Sequence, residues 1–298
     1  MVLSINNLSK QYGHLKAVDQ LSLTIEKGMI FGFLGPNGSG KTTTLGMVLD
    51  IIRPTSGTYE WFAGKYEPDE ARKRIGTLLE TPNFFPYMSA ADNLKIIAHI
   101  RKVSKPGIEE HLETVGLLSR KDSKFKTYSL GMKQRLAIAA ALVGDPEVLV
   151  FDEPTNGLDP QGIAEVRDII QQVADSGKSI IMASHILNEV EKICSHVAII
   201  KQGNLLATGT VGSIISDEAT IEVSADNLEA LRRVFEGIPE LSNIETKDKL
   251  LILSITADFP ASSLNKIAMD KGIVLSHLNK KSKSLEAEFL EITATKTN

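Results

Sequence analysis

A glycine-rich segment near the start of the chain carries residue types that bind phosphate. It reads Gly35-Pro-Asn-Gly-Ser-Gly-Lys-Thr42 and fits the pattern G-x-x-x-x-G-K-[ST]. Glycines let backbone N–H groups turn inward around phosphate oxygens. We predict that Lys41 reaches the β- and γ-phosphates of a nucleotide and that the Thr42 hydroxyl is a ligand of Mg²⁺. The predicted nucleotide-binding residues are Gly35, Pro36, Asn37, Gly38, Ser39, Gly40, Lys41, Thr42 and Thr43.

Two acidic residues follow an apolar run later in the chain. Residues 148–153 read Val-Leu-Val-Phe-Asp-Glu. At the end of a strand, Asp152 is placed to hold Mg²⁺, and Glu153 is a candidate base that polarises an attacking water. An ordinary buried strand with solvated acids at its tip would read the same way. The phosphate motif favours the catalytic interpretation.

The elements that position these residues alternate between strands and helices. Short apolar runs at 29–34, 147–151 and 179–183 predict buried strands, the first directly before the glycine-rich segment. Helices are predicted over 42–52, 133–143 and 162–175. Strands separated by helices indicate an α/β fold with a mainly parallel sheet.

Composition narrows the class of protein. The 298 residues are 42% hydrophobic and 23% charged, with a net charge of −4, values typical of globular domains. The acidic balance argues against a dedicated nucleic-acid binder, so we expect no nucleic-acid partner. We expect no secretory signal and no membrane-spanning segment, because no apolar run is long enough. The single cysteine, Cys194, cannot form an internal disulfide and is predicted to be a core residue.

The last third of the chain has a different pattern. Residues 1–212 carry 23 basic and 23 acidic side chains, whereas residues 213–298 carry 10 and 14. From residue 219 the order of predicted elements is β-α-β-β-α-β followed by a helix, with a polar turn at 246–249. This order suggests a small ferredoxin-like α+β domain over 216–298.

Five further segments give the chain its resemblance to a known family. Together with the two motifs above, and in the same order along the chain, they resemble the ATP-binding subunits of ABC transporters. The segments are Tyr12, Glu80, Ser129-Leu-Gly-Met-Lys-Gln-Arg135, Pro154-Thr-Asn-Gly-Leu-Asp159 and Ser184-His185. The resemblance covers about residues 1–215. It implies an α/β P-loop NTPase with a RecA-like core, an antiparallel β subdomain and a helical signature subdomain.

The resemblance also implies roles for these residues. Two ATP-binding domains meet head to tail, and each ATP lies between the P-loop of one domain and the signature of the other. Tyr12 is expected to stack on adenine, and Glu80 to reach Mg²⁺ through water. Asp159 belongs to the D-loop. Ser129 and Gly131 are expected to contact the γ-phosphate of the ATP bound to the other domain. His185 is expected to contact the γ-phosphate of the ATP bound to its own chain.

Four positions depart from the family pattern. Tyr128, Leu130 and Met132 replace the leucine, the first glycine and the glutamine of the usual signature, and Glu80 replaces the usual glutamine at its position. Leu130 restricts the backbone more than glycine does, and the carboxylate of Glu80 adds charge beside the metal.

The predicted function is an ATP-hydrolysing subunit of a membrane exporter, with ATP as substrate and Mg²⁺ as cofactor. Segments 79–87 and 284–290 resemble exporters of the ABC-2 group, the first of them bacitracin- and lantibiotic-resistance exporters. The implied partners are a separate transmembrane permease and a second copy or a related ATPase subunit, on the cytoplasmic face of the membrane.

Two surface segments have two interpretations each. Phe84, Phe85 and Tyr87 either border the groove for the permease or pack inside the helical subdomain. A basic run at 120–126 either faces lipid headgroups or is a solvated face.

Three alternatives stay open. The first is an ABC-type ATPase that acts on nucleic acid or ribosomes, although the stretch between Lys41 and Asp152 is short for the coiled coil of such proteins. A P-loop kinase or GTPase would leave the signature segment, Asp159 and His185 unexplained. A regulatory module that binds ATP with little hydrolysis would fit the altered signature but not the intact Glu153.

Overall fold

The computed structural model describes residues 1–79, 82–215, 218–241, 243–256, 259–282 and 284–294. Contacts within the chain divide it into unit 1, Met1–Val211, and unit 2, which ends at Ala294 and begins at Gly212. Each unit has its own buried cluster of apolar side chains. The expected site residues all belong to unit 1.

Unit 1 contains nine strands and seven helices of α type within its described residues, and an eighth helix begins at its end. The strands are β1 (Leu3–Tyr12), β2 (Leu15–Ile25), β3 (Ile30–Leu34), β4 (Ser56–Trp61), β5 (Ile75–Leu78), β6 (Val148–Asp152), β7 (Ser179–Ser184), β8 (His196–Lys201) and β9 (Asn204–Thr210). The helices are α1 (Lys41–Val48), α2 (Pro68–Lys73), α3 (Ala90–Ile100), α4 (Ile108–Thr114), α5 (Leu130–Leu142), α6 (Pro160–Asp175), α7 (Leu187–Ile193) and α8 (Val211–Ile214).

The main sheet of unit 1 has the order β5-β6-β7-β3-β8-β9. Its first five strands are parallel, and β9 pairs antiparallel to β8. Every residue of β3, β6 and β7 is buried, which explains their continuous apolar runs. The predicted parallel sheet is therefore confirmed.

The predicted core position of Cys194 is also observed, since this residue is buried. Burial raises the pKa of its thiol well above the usual range.

Two smaller parts flank this sheet. An antiparallel sheet has the order β2-β1-β4, and α3, α4 and α5 pack together as a helical part. These are the expected antiparallel and helical subdomains of the P-loop fold.

The helix predicted over 42–52 is shorter in the structure, because α1 ends at Val48. Asp50 takes a φ of 61°, and the N–H groups of Ile51 and Ile52 both donate to the Gly46 carbonyl, which closes the helix.

Unit 2 is an antiparallel sheet with the order β11-β12-β10-β13. Its elements are β10 (Glu218–Ala225), α9 (Leu228–Phe235), β11 (Asn243–Lys247), β12 (Leu250–Thr256), α10 (Ala261–Asp270), β13 (Leu275–Ser282) and α11 (Leu285–Ala294). The two strands that begin and end the motif are neighbours, and α9 packs against α10. The ferredoxin-like arrangement expected from the order of elements is confirmed.

One turn of unit 2 is tighter than predicted. The polar turn was expected over residues 246–249, but β11 continues to Lys247, which pairs with Leu250. Asp248 and Lys249 alone connect the strands. Asp248 adopts a φ of 55°, a conformation that aspartate tolerates and that two-residue hairpins require.

The core of unit 2 provides a stability test. Leu253 on β12 is completely buried among the apolar residues of the sheet and α9–α10. We expect Leu253→Ala to lower the free energy of unfolding of this unit by about 2–5 kcal/mol, because it leaves a cavity. Denaturant unfolding would measure the change. Val274→Ala is the control, since Val274 is 79% exposed; an equal loss in both variants would contradict the assigned core.

Candidate nucleotide-binding and catalytic site

The glycine-rich segment connects β3 to α1 at the carboxyl edge of the main sheet. Lys41 is only 5% exposed, and its Nζ donates to the carbonyl oxygens of Gly35 at 2.8 Å and Pro36 at 3.3 Å. Gly40 has a φ of 109°. A Cβ on Gly35 would collide with the Ile200 carbonyl oxygen, so the close approach of the two backbones requires glycine there.

The other residues of the segment differ in exposure. Ser39 is 2% exposed, and its Oγ has no hydrogen-bond partner among the described residues. Asn37 and Gly38 are exposed, whereas Thr43 is half-buried in the first turn of α1. A buried hydroxyl without a partner in a glycine-rich loop can donate a hydrogen bond to a ligand held there.

Three polar side chains from distant parts of the chain, Lys41, Glu153 and His185, meet next to this loop. Glu153 follows β6, and its Oε1 lies 3.5 Å from Lys41 Nζ. His185 comes directly after β7. The Oε2 of Glu153 lies 2.8 Å from His185 Nδ1 and 3.3 Å from the His185 backbone nitrogen. Glu153 has a φ of 50°, and its N–H donates to the Ala183 carbonyl oxygen of β7. One carboxylate therefore joins the loop lysine to the histidine.

A cavity of about 410 Å³ opens beside this cluster. Its lining residues are Thr42, Pro82, Leu130, Gln134, Asp152, Glu153 and Asn156. The hydroxyl of Thr42 and the carboxylate of Asp152, which is 4% exposed, are hard oxygen donors of the kind that Mg²⁺ prefers. Within residues 1–79, 82–215 and the described parts of unit 2, no cluster of three or more His, Cys, Asp or Glu is placed to hold a metal by itself. The donor set fits a cation that also takes oxygens from a phosphate.

Two lining residues of this cavity were missed as site candidates. Gln134 lies within the signature-like segment and Asn156 within the D-loop-like segment. Membership of these two motifs could have identified both residues as site candidates. Gln134 lies on α5 and Asn156 follows β6, so only the tertiary fold brings these two residues to one cavity.

The signature-like segment forms the start of α5. The Oγ of Ser129 accepts a hydrogen bond from the Met132 N–H at 3.2 Å and caps the helix. A Cβ on Gly131 would meet nothing within 4 Å. Ser129, Gly131 and Asp159 line a second cavity of about 460 Å³. Asp159 caps α6, because its Oδ1 accepts from the Gly162 N–H at 2.9 Å.

The remaining expected residues are not joined to the cluster. Tyr12 ends β1 with 48% of its surface exposed, and Lys10 Nζ lies 4.9 Å above its ring. Glu80, the expected metal ligand, lies outside the described residues. The structure thus brings together Lys41, Glu153 and His185, with Thr42 and Asp152 at the adjoining cavity.

A larger groove of about 860 Å³ is lined by residues other than Phe84, Phe85 and Tyr87, the aromatic residues considered as the border of a permease groove. It is lined by the ends of α1, α3 and α5 and by β4, α2 and β5, with Ile51, Tyr59, Trp61 and Arg72 among the lining residues. Tyr59 donates to Asp50, and burial followed by this hydrogen bond raises the pKa of its hydroxyl. The lining residues are scattered over about a third of the chain, so no local sequence pattern could have revealed the groove.

The described helices include none that is both long and apolar enough to cross a bilayer.

The close packing of the glycine-rich loop generates a prediction. We expect Gly35→Ala to weaken nucleotide binding at least about tenfold, because the new Cβ must displace the loop or the Ile200 carbonyl. Titration of the purified protein with a fluorescent ATP analogue would measure the affinity. Gly212→Ala is the control, since its Cβ would meet nothing within 4 Å. Equal affinities in the two variants would show that the loop does not bind the nucleotide.

Comparison with known proteins adds independent information on this site. The ABC transporter family model matches residues 18–156, which include the glycine-rich segment, the signature-like segment and Glu153. The chain is 34% identical to the bacitracin transport ATP-binding protein BcrA of Enterococcus faecalis over 298 residues, 98% of this chain and 96% of that protein. It is 38% identical to the lantibiotic transport ATP-binding protein SrtF of Streptococcus pyogenes, over 69% of this chain and 89% of that one.

A solved structure agrees with these matches. The fold is similar to that of cbiO1 from Clostridium perfringens, part of the ABC transporter complex cbiONQ, with 27% identity and a TM-score of 0.63. The match covers 80% of this chain and 96% of the other. The expected likeness to bacitracin- and lantibiotic-associated proteins is confirmed. The chain belongs to the ABC transporter family, as an ATP-binding subunit that hydrolyses ATP.

Proposed function

We propose that this chain powers an exporter by closing and opening a sandwich of two ATP-binding domains around Mg²⁺ and ATP. The observation that carries the proposal is the meeting of Lys41, Glu153 and His185 at one end of the main sheet. Lys41 provides positive charge for the phosphates, and the carboxylate of Glu153 provides the base. The imidazole of His185 provides a further contact to the γ-phosphate. We assign the ATP-binding domain to residues 1–215 and an accessory domain to residues 216–298.

Within one chain, the loop N–H groups and the positive end of α1 hold the phosphates together with Lys41. Thr42 and Asp152 would hold Mg²⁺, which when bound offsets phosphate charge; Glu80 is assigned to the same metal through water. Glu153 accepts a proton from the attacking water as the water oxygen approaches the γ-phosphorus. His185 orients this carboxylate and donates a hydrogen bond to the γ-phosphate. The distance between His185 and Glu153 therefore changes when ATP binds.

The second half of each site comes from the partner chain in this proposal. The start of α5, with Ser129 and Gly131, offers N–H groups and a helix dipole to the γ-phosphate across the interface. The open surroundings of Gly131 and the cavity beside it support this role, because a phosphate oxygen needs close access to the backbone. Asp159 fixes the start of α6 beside this surface. Tyr12 is assigned to adenine, on which its exposed ring can stack.

A separate transmembrane permease is the second proposed partner, with this chain on the cytoplasmic face of the membrane. The groove that contains Ile51 and Trp61 has an apolar floor and charged groups at its margin, a chemistry that suits a short amphipathic helix. Ile51 is 64% exposed there. Two relatives are named for bacitracin and lantibiotic transport, which supports export of a peptide-like compound.

The sandwich is tested by Glu153→Gln. We expect hydrolysis to fall by about a hundredfold to ten-thousandfold, because the general base is lost. Bound ATP should then persist, and light scattering should show a dimer of two 32.4 kDa chains in the presence of Mg²⁺ and ATP. Without nucleotide the same variant should be a monomer.

The control for this test is Glu113→Gln, which removes a charge from an exposed position on α4. It should hydrolyse ATP like the unaltered protein. If Glu153→Gln binds ATP and stays monomeric, the homodimeric sandwich is wrong. If it hydrolyses ATP at the normal rate, the role of Glu153 as base is wrong.

The groove is tested with the permease encoded for this transporter. We expect Ile51→Asp to weaken co-purification of the permease, because a charge enters the apolar part of the groove. ATP binding by the isolated variant should be unchanged. Ile100→Asp is the matched control, since Ile100 is 71% exposed outside the lining of the groove. Equal loss of the permease in both variants would contradict docking at this groove.

A further inference from the structure

The lysine two residues before Tyr12 is held over the face of the tyrosine ring. Lys10 Nζ lies 4.9 Å from the centroid of the Tyr12 ring and donates to the Arg53 carbonyl oxygen at 2.8 Å. Within the described part of the chain this ammonium forms no ion pair. Its positive charge therefore acts on the ring and is not neutralised by a carboxylate.

The end of β1 is built in a way that directs this lysine. The pairing of β1 with β2 shifts register on both sides of Lys10, between Leu8 and Lys10 and between Lys10 and Gln11. Irregularities of this kind re-aim side chains. The Gln11 N–H also donates to Thr55 Oγ1 at 3.0 Å, which holds the segment after α1 against the end of β1. The Arg53 carbonyl thereby comes within reach of the ammonium.

The same end of the antiparallel sheet lies against the glycine-rich loop. Lys10 pairs with Val18 of β2. A Cβ on Gly40 would lie 3.3 Å from Val18 Cγ2 and would collide with the Ala17 carbonyl oxygen. Tyr12 is two residues further along β1, a span of about 7 Å in a strand. The exposed ring of Tyr12 is therefore close enough to meet the base of a nucleotide whose phosphates occupy the loop.

We propose that Lys10 is a positioning residue for the base of the bound nucleotide. Its ammonium covers one face of the Tyr12 ring, so that adenine stacks on the opposite face. Aromatic rings carry negative charge on both faces, which disfavours direct face-to-face stacking of two rings. A cation on the far face offsets this repulsion and limits the orientations of an exposed ring. This role rests on the proposed stacking of adenine on Tyr12.

The role of Lys10 is tested by titration calorimetry of the full chain with two probes in the presence of Mg²⁺. AMP-PNP carries adenine and is hydrolysed slowly, whereas inorganic tripolyphosphate carries no base. We expect Lys10→Met to lower the affinity for AMP-PNP about twofold to fivefold, because the cation–π contact is lost. The affinity for tripolyphosphate should be unchanged. Lys10→Arg keeps a cation at the ring and should bind both probes like the unaltered protein.

A second background separates an action through the ring from a purely structural role. Tyr12→Leu should bind AMP-PNP more weakly, and adding Lys10→Met to it should cause no further loss, because the ring is absent. Lys65→Met is the matched control, since Lys65 Nζ lies 5.1 Å from the centroid of the Tyr66 ring elsewhere on unit 1. This control should bind both probes like the unaltered protein.

Any of four results would overturn the role of Lys10. Lys10→Met would bind AMP-PNP normally, or it would lose affinity for both probes equally, which would show that the lysine acts on the loop or by its charge alone. Its effect would be the same with and without the Tyr12 ring. Tyr12→Leu would bind AMP-PNP normally, so that neither residue serves the base. Because none of these titrations needs a second chain, their outcome is distinguishable from failure of the sandwich.

Discussion

The carboxylate of Glu153, held between Lys41 and His185, is the interaction on which the site depends. Lys41 is almost fully buried, so its charge requires compensating oxygens nearby, and it has two backbone carbonyls and this carboxylate. The three residues follow three different strands. They meet only because β6 and β7 are adjacent, β7 and β3 are adjacent, and all three run in the same direction. The order of the main sheet is therefore a requirement of the chemistry.

The phosphate contacts proposed for unit 1 lie on two chemically different surfaces. One is the glycine-rich loop with its lysine, and the other is the start of α5 with its serine cap and the accessible backbone of Gly131. Each has its own cavity, of about 410 Å³ and about 460 Å³. Leu130 lines both cavities, and its Cδ2 would lie 3.4 Å from a Cβ on Gly157. The departure from the family signature thus lies where the two surfaces adjoin.

The outer surface of unit 1 has a groove suited to a membrane partner. The groove is concave and bounded by several elements, so it can enclose a partner segment. Its lining residues come from positions 48 to 141, so the groove forms only when these elements pack together.

The sequence by itself determined the family, the parallel sheet, the glycine-rich loop and the ferredoxin-like order of unit 2, and it located Glu153, the proposed base, at the end of a strand. Each of these depends on local features: a motif, an apolar run or the order of elements. The tertiary structure decided the rest. It ended α1 at Val48, shortened the hairpin to Asp248-Lys249, and placed Gln134 and Asn156 at the cavity. It also formed the groove and brought Tyr87 to Lys126, because contacts between residues far apart in the chain depend on how whole elements pack, which no local pattern encodes.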